Sequence, residues 1–311
     1  MNFFVAVTDY DWFQLHTSKS RVEEVNFWRP SSEATFKALK TGELFLFKLH
    51  SPRNFIVGGG FFTRFVLLPL SLAWEAFGEG NGVRSLSEMR TRIAKLRRTP
   101  IEPSENPSIG CILLAEPFFF NEAQWIPIPS DFSLNIVQGK TYDNGDRASG
   151  QALWAAVTDR LRIGRGTDVG PATTAAVEGA RYGEPVLVQP RLGQGTFRVI
   201  VTEAYERRCA ITGERTLPVL DAAHIKPYGL GGPHDPENGL LLRSDLHTLF
   251  DQRYMTIDAG ELKVIVSPRI REEFENGRDY YQLHGRAIRL PRETSSLPSR
   301  EYLTFHNNLF H

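Results

Sequence analysis

Short runs of β-branched and aromatic residues, broken by Gly, Pro and Asn, punctuate the first 143 positions: FFVAV (3–7), ELFLFKL (43–49), FIVGGGFF (55–62) and GCILLAEPFFF (110–120). Such runs suit a pleated, half-buried surface, and their close spacing predicts a small barrel or a strongly bent sheet. Between them the period changes. Residues 71–98 hold SLAWEAFG and then SLSEMRTRIAKLRR, where serine caps precede Leu86, Met89, Ile93 and Leu96 on one helical face. A polar turn, DNGDRASG (143–150), leads into a second predicted helix, QALWAAVTDRLRI (151–163).

The small-residue stretch GRGTDVGPATTAAVEGA (164–180) reads as a connection, and a second block starts near Tyr182. There VLVQPRLGQGTFRVIVTEAYERRCAITG (186–213) begins strand-like and turns helical. LPVLDAAHIKPY is a strand entering a Pro-bearing loop, and NGLLLRSDLHTLFDQ a short strand followed by a helix. YMTIDAGELKVIVSP is a hairpin turning at DAG, and the C-terminal stretch from 267 predicts a helix and a short strand pair. The expected organisation is α+β: a small N-terminal β-barrel with helices over 1–143, a helical linker over 144–181, and a second domain over 182–311. No internal repeat is visible.

A chain of 311 residues, 41% hydrophobic and 23% charged, fits two globular domains. Cys111 and Cys209 are its two cysteines and neither sits in a CxxC pair, which points to a reducing, cytoplasmic setting and excludes a cysteine-rich zinc site. The opening MNFFVAVTDYDWF does not read as a signal peptide, and no run approaches the roughly 20 apolar residues of a membrane span. With 36 basic and 36 acidic residues the formal net charge is zero, so a wholesale basic protein is ruled out. A local basic face stays open: RTRIAKLRR (90–98) is either a solvated face or a phosphate-contacting one, with the solvated reading favoured.

Chemistry concentrates in the second block. His224 ends a predicted strand, Asn238 lies in a loop, and His247 and Asp251 follow on a predicted helix. Four apart, the last two project from one helical face and can hold one cation. Asp221, three before His224 on a strand, points the opposite way. Histidine suits deprotonation of water near neutral pH because its free pKa is about 6.5. The Asn238 amide can pin the loop to the His224 strand. One histidine on an apolar strand is most often a core residue, but burying all four groups without a ligand would leave several polar atoms to satisfy.

These residues, in C-AITG, LDAAHI and NGLLLRSDLH-TLFD, resemble the HNH nuclease family, whose core is a ββα-metal finger; the likeness covers about 205–260. The resemblance implies His224 as general base, Asn238 as the loop-fixing asparagine and His247 as a metal ligand, with Asp251 where a second helix ligand often stands. One divalent cation per site, Mg²⁺, Mn²⁺ or similar, is implied. Ala223 occupies a usual ligand position, so either Asp221 reaches the metal or two protein ligands suffice. The paired zinc-binding cysteines of many members are absent, which makes Cys209 a buried apolar-type residue. Arg243 either grips the scissile phosphate or pairs with Asp245 or Glu237. His234, in GGPHDPEN, reads as solvated, and His284 as structural.

In the first block, YDW (10–12), NFWRP (26–30) and the pair KTGELFLFKL and FIVGGGFF are similar to the EVE domains of the PUA superfamily, relatives of the YTH readers. That likeness covers about 1–143. It implies a small barrel that flips a modified base between Trp12 and Trp28, with Tyr10 beside them and Asp9 or Asn26 reading the base edge. Stacking on such walls contributes about 1–3 kcal/mol per base; alternatively these aromatics fill the core. Trp74, Trp125 and Trp154 read as core residues. Reader first and nuclease last, the chain resembles modification-dependent restriction endonucleases of the EVE–HNH type. The resemblance implies cleavage of double-stranded DNA carrying 5-methyl- or 5-hydroxymethylcytosine, no membrane partner, and compatibility with a homodimer. Another trigger (phosphorothioate, a glucosylated base, RNA) and a non-cleaving binding module are the alternatives.

Overall fold

The computed structural model describes residues 1–19, 22–32, 35–145, 148–165 and 192–310. The stretches 164–180 and 186–191, expected as a connection and a strand-like start, lie almost wholly outside the described residues. The chain divides into two compact units, Met1–Arg191 and Leu192–His311.

The first unit is built on β1 (Asn2–Thr8), α1 (Tyr10–Thr17), β2 (Glu24–Arg29), β3 (Leu44–Leu49), β4 (Phe55–Pro69), α2 (Leu70–Phe77), α3 (Leu86–Arg97), β5 (Ser108–Phe119), β6 (Ile126–Pro127), β7 (Gly139–Asp143) and α4 (Ala148–Arg165). Its sheet runs β2-β5-β4-β3-β1-β7, with β6 paired to β4. Only the β1–β3 pair is parallel among these ladders. Every residue of β3 is buried, because both faces of the sheet are covered. Phe45, Phe47 and Leu49 join the cluster that holds Trp12, Phe13 and Ile112. Leu44 and Leu46 join the opposite one, with Phe3, Val5, Leu153 and Val157, which seats α4 on the sheet.

The sheet is open where a barrel was expected. Closure requires a continuous ladder between the edge strands; here β2 and β7 end the described path. Curvature nevertheless brings one corner together, where the Arg29 guanidinium donates to Gln138 Oε1. The bending originates in β4. Its pairing with β5 shifts register between Gly59 and Phe61 and again between Phe62 and Arg64. The GGG run permits the close approach: a Cβ on Gly59 would stand 2.7 Å from the Phe45 carbonyl oxygen.

The stretch expected as helical over 71–98 is two helices, α2 and α3, parted by a 3₁₀ turn (Gly78–Asn81) and Gly82 at φ 72°. Ser85 caps α3, its Oγ accepting from the Glu88 amide at 3.1 Å. Met89 and Ile93 are buried, but Leu96 is exposed.

The second unit comprises α5 (Gln194–Ala204), β8 (Leu220–His224), β9 (Gly239–Arg243), α6 (Ser244–Asp251), β10 (Met255–Ile257), β11 (Val264–Val266), α7 (Arg269–Phe274), α8 (Arg278–Tyr281) and α9 (Arg300–Asn308). One core holds it, with Phe197, Val201, Leu240, Leu241, Leu242, Leu246 and Phe250 at its centre. In place of a C-terminal strand pair, the region holds α8 and a single bridge, Lys263 to Ala287. Helix α9 was not foreseen: it buries Leu303 and His306, too short an apolar stripe to stand out in sequence.

Candidate functional site

Strands β8 and β9 pair antiparallel, setting His224 opposite Gly239 and Asp221 opposite Leu242. Helix α6 follows β9 directly, so the second unit contains a ββα hairpin-helix. Asn238 closes it. Fully buried, its Oδ1 accepts from the Lys226 amide at 2.8 Å, and its Nδ2 donates to the carbonyls of Lys226 at 3.0 Å and Pro233 at 2.9 Å. Gly232 is required beneath this clasp, since a Cβ there would meet the Lys226 carbonyl oxygen at 1.9 Å.

The His224 ring lies against Phe197 of α5, centroids 3.9 Å apart and planes within 11°. Its Nε2 is 2.9 Å from Nδ1 of His234, which stacks on Tyr228 at 4.4 Å. His234 is therefore part of the site and not a purely solvated side chain. Burial first, then the fields of His234 and His247, lower the His224 pKa to about 4, so the ring is neutral at pH 7.

His247 stands between two carboxylates. Its Nδ1 is 3.7 Å from Asp221 Oδ2 and its Nε2 is 3.3 Å from Asp251 Oδ2. Asp221 also has the Arg198 guanidinium of α5 at 3.9 Å. The two acids address opposite ring nitrogens, and among the described residues no three His, Cys, Asp or Glu side chains converge on one point suited to a metal ion. Arg243 pairs with Asp245 through two bonds, 2.9 Å from Nε and 2.5 Å from Nη2, the structural alternative of the two expected for it. Sequence reasoning missed His234 and Arg198 as neighbours of the site, because loop closure and helix packing bring them there without any local spacing. Cys209 is buried, and His284 Nδ1 accepts from the Val266 amide at 3.1 Å.

The first unit carries a cavity of about 980 Å³. Asp9, Trp12 and Trp28 are in its wall, with Phe27, Arg92 and Lys95. Trp12 is 7% exposed and edge-on to Phe47 at 4.8 Å, so it belongs to the core as well as to the cavity. Trp28 donates its indole N–H to the Asn81 carbonyl at 2.8 Å. Asp9 lies 3.5 Å from His50 Nε2, also in the wall. Two expected pocket residues are engaged elsewhere. Asn26 is fully buried, its Nδ2 donating to Asn81 Oδ1 at 2.8 Å and to Cys111 Sγ at 3.3 Å, so it cannot reach a base edge. Tyr10 is covered by the Arg53 guanidinium at 3.8 Å. Of the basic run, Arg90 and Arg97 donate to backbone carbonyls and Arg92 pairs with Glu88 at 2.7 Å. Trp74, Trp125 and Trp154 are partly buried, Trp125 and Trp154 against the two cores.

No helix among the described residues is long and apolar enough to cross a membrane. No curated protein matches the chain. Among solved structures it is similar to one described as "Modification dependent TagI restriction endonuclease", at 13% identity and a TM-score of 0.30, covering 94% of this chain and 77% of that one. Residues 209–258, from Cys209 through the β8–β9 hairpin and α6 to Asp258, match the family model described as HNH endonuclease, so this segment is an HNH endonuclease domain.

Proposed function

We propose that the protein is a modification-dependent DNA endonuclease in which the first unit reads a modified base and the second hydrolyses a phosphodiester. One observation carries the nuclease half: within the HNH segment, a neutral imidazole, His224, is held by Phe197 and an Asn238-clasped loop on the hairpin that also bears Asp221. His224 accepts the proton of a water as its oxygen attacks phosphorus in line, leaving a 5′ phosphate and a 3′ hydroxyl. Asn238 keeps the loop, and with it the base, in place.

A donor pair of one imidazole and one carboxylate suits a divalent cation of the Mg²⁺ or Mn²⁺ kind, which commonly takes one or two protein ligands and completes its shell with water and phosphate. His247 and Asp221 would hold it, because the gap between Asp221 and Nδ1, 3.7 Å, exceeds hydrogen-bond length. Asp251, nearer at 3.3 Å on the other ring nitrogen, would orient the imidazole. When bound, such an ion stabilises charge on the departing 3′ oxygen. Arg198 partly neutralises Asp221.

The reader half rests on the aromatic-walled cavity. Trp28 and Trp12 offer stacking surfaces, Asp9 an acceptor suited to a cytosine amino group, and Arg92 and Lys95 a cationic rim for flanking phosphates. A modified cytosine flipped into it is the reading adopted, with double-stranded DNA as substrate. The cavity volume also favours a second reading, a bulkier base such as a glucosylated one, since about 980 Å³ is at the upper end for drug-sized ligands. The test is one DNA sequence prepared unmodified, with 5-methylcytosine, with 5-hydroxymethylcytosine and with its glucosylated form, incubated with protein and Mn²⁺. Faster cutting of one modified form identifies the trigger; equal cutting of all four rejects the reader and leaves the nuclease.

A further inference from the structure

We propose that His234 is the positioning residue of the nuclease site: it accepts the Nε2–H of His224 and so leaves the His224 Nδ1 lone pair to take the proton of the attacking water. This rests on the assignment of His224 as the base. The contact of 2.9 Å between His224 Nε2 and His234 Nδ1 admits one proton on the line between them. While the pair is intact, Nε2 is committed to His234, so Nδ1 is the ring nitrogen open to a water. For Nδ1 to take the proton of the water, the neutral ring must carry its hydrogen on Nε2, and the base role therefore requires His224 as the donor in this contact and His234 as the acceptor.

Both rings are held for this task. Phe197 fixes the plane of His224 from one side, and Tyr228 fixes that of His234 at 4.4 Å with 13° between planes. The residue before His234 is anchored by its backbone, since the Pro233 carbonyl accepts from Asn238 Nδ2 at 2.9 Å. Asn238 therefore acts on the base twice, through the Lys226 backbone and through the placement of His234. As water attacks, its O–H bond breaks and a bond from hydrogen to Nδ1 forms; the O–P bond forms and the bond from phosphorus to the 3′ oxygen breaks. The departing 3′ oxygen takes a proton from solvent water, and the resulting imidazolium keeps its Nε2–H on His234 and returns the Nδ1 proton to solvent.

The test uses the full chain in two measurements. In ¹⁵N-histidine-labelled protein at pH 7, nitrogen shifts should report His224 as the Nε2–H tautomer, and His234→Ala should turn this into a mixture. In single-turnover cleavage of modified DNA with Mn²⁺, His234→Ala should lower the rate at saturation by about 10- to 100-fold with little change in the DNA concentration needed for half-saturation. His234→Asn, whose Oδ1 can accept in place of Nδ1, should recover most of the loss at the same Tm as His234→Ala. A wild-type His224 protonated on Nδ1, an unimpaired His234→Ala, or an Asn variant no better than Ala would overturn the proposal. Absence of cleavage by the wild-type protein would instead reject the nuclease reading, and the tautomer measurement would still decide the role of His234.

Discussion

Phe197 lies flat on His224, ring centroids 3.9 Å apart, and is itself 1% exposed. Helix α5 thus supplies both a core side chain and the wall that dehydrates the base. Phe197→Leu should cost about 1 kcal/mol of stability and Phe197→Ala about 3–5 kcal/mol. In the milder variant, water reaches the imidazole, and its pKa should rise from about 4 toward 6.5. An NMR titration of His224 checks the shift; an unchanged pKa would mean that Phe197 is not what keeps water away.

His306 predicts acid sensitivity. Its Nε2 donates to the Phe250 carbonyl at 3.0 Å, so Nδ1 accepts from the Thr256 hydroxyl at 2.7 Å, and Asn307 Nδ2 donates to that same hydroxyl at 2.8 Å. Burial lowers its pKa to about 4. Above pH 6.5 the folded and unfolded chains both hold it neutral. As pH falls from 6.5 toward 4 the unfolded chain takes up a proton that the folded one refuses, so stability declines by up to roughly 3 kcal/mol from this group. His16, buried and also lowered to about 4, adds in the same direction in the first unit. Urea midpoints of the second unit's transition at pH 7.5 and 5 should differ more in wild type than in His306→Gln.

The Asn238 clasp predicts a coupled loss. Asn238→Ala removes three hydrogen bonds from a fully buried side chain and leaves the Lys226 amide and two carbonyls without it. A destabilisation of about 2–4 kcal/mol is expected, with reduced cleavage. Asn238→Asp keeps the acceptor for the Lys226 amide but lacks the donor, so it should fall between wild type and Ala in thermal melts.

The hairpin-helix site was legible in sequence because strand alternation and one helical turn set its spacing locally: His224 on β8, Asn238 in the turn just before β9, His247 and Asp251 one turn apart on α6. What tertiary packing decides was not legible. His234 and Arg198 arrive through a closed loop and a packed helix. The β-branched and aromatic runs at 3–7, 43–49, 55–62 and 110–120 announced a small barrel or bent sheet, but whether β2 and β7 pair depends on edges far apart in sequence, and the sheet stays open. The resemblance of the first block placed Asn26 at a base edge, whereas Asn81 and Cys111 hold it in the core.

Trp12 and Trp28 separate core from cavity. Trp12→Ala should destabilise the first unit by about 3–5 kcal/mol, since the ring is 7% exposed and packed among aromatics. Trp28→Ala, which loses the bond to the Asn81 carbonyl, should destabilise less than Trp12→Ala while weakening binding of modified DNA relative to unmodified DNA, by about 1–3 kcal/mol. Fluorescence anisotropy with both duplexes, alongside thermal melts, reads the two effects.

The most direct measurement is single-turnover cleavage of DNA by wild-type protein and by His224→Ala at equal concentration with saturating Mn²⁺, after thermal melts establish that both are folded. A water-activating His224 predicts a loss of at least about 100-fold in the variant, with DNA binding retained. Cleavage by His224→Ala at the wild-type rate would contradict the assignment of the base, and with it the mechanism built on the HNH segment.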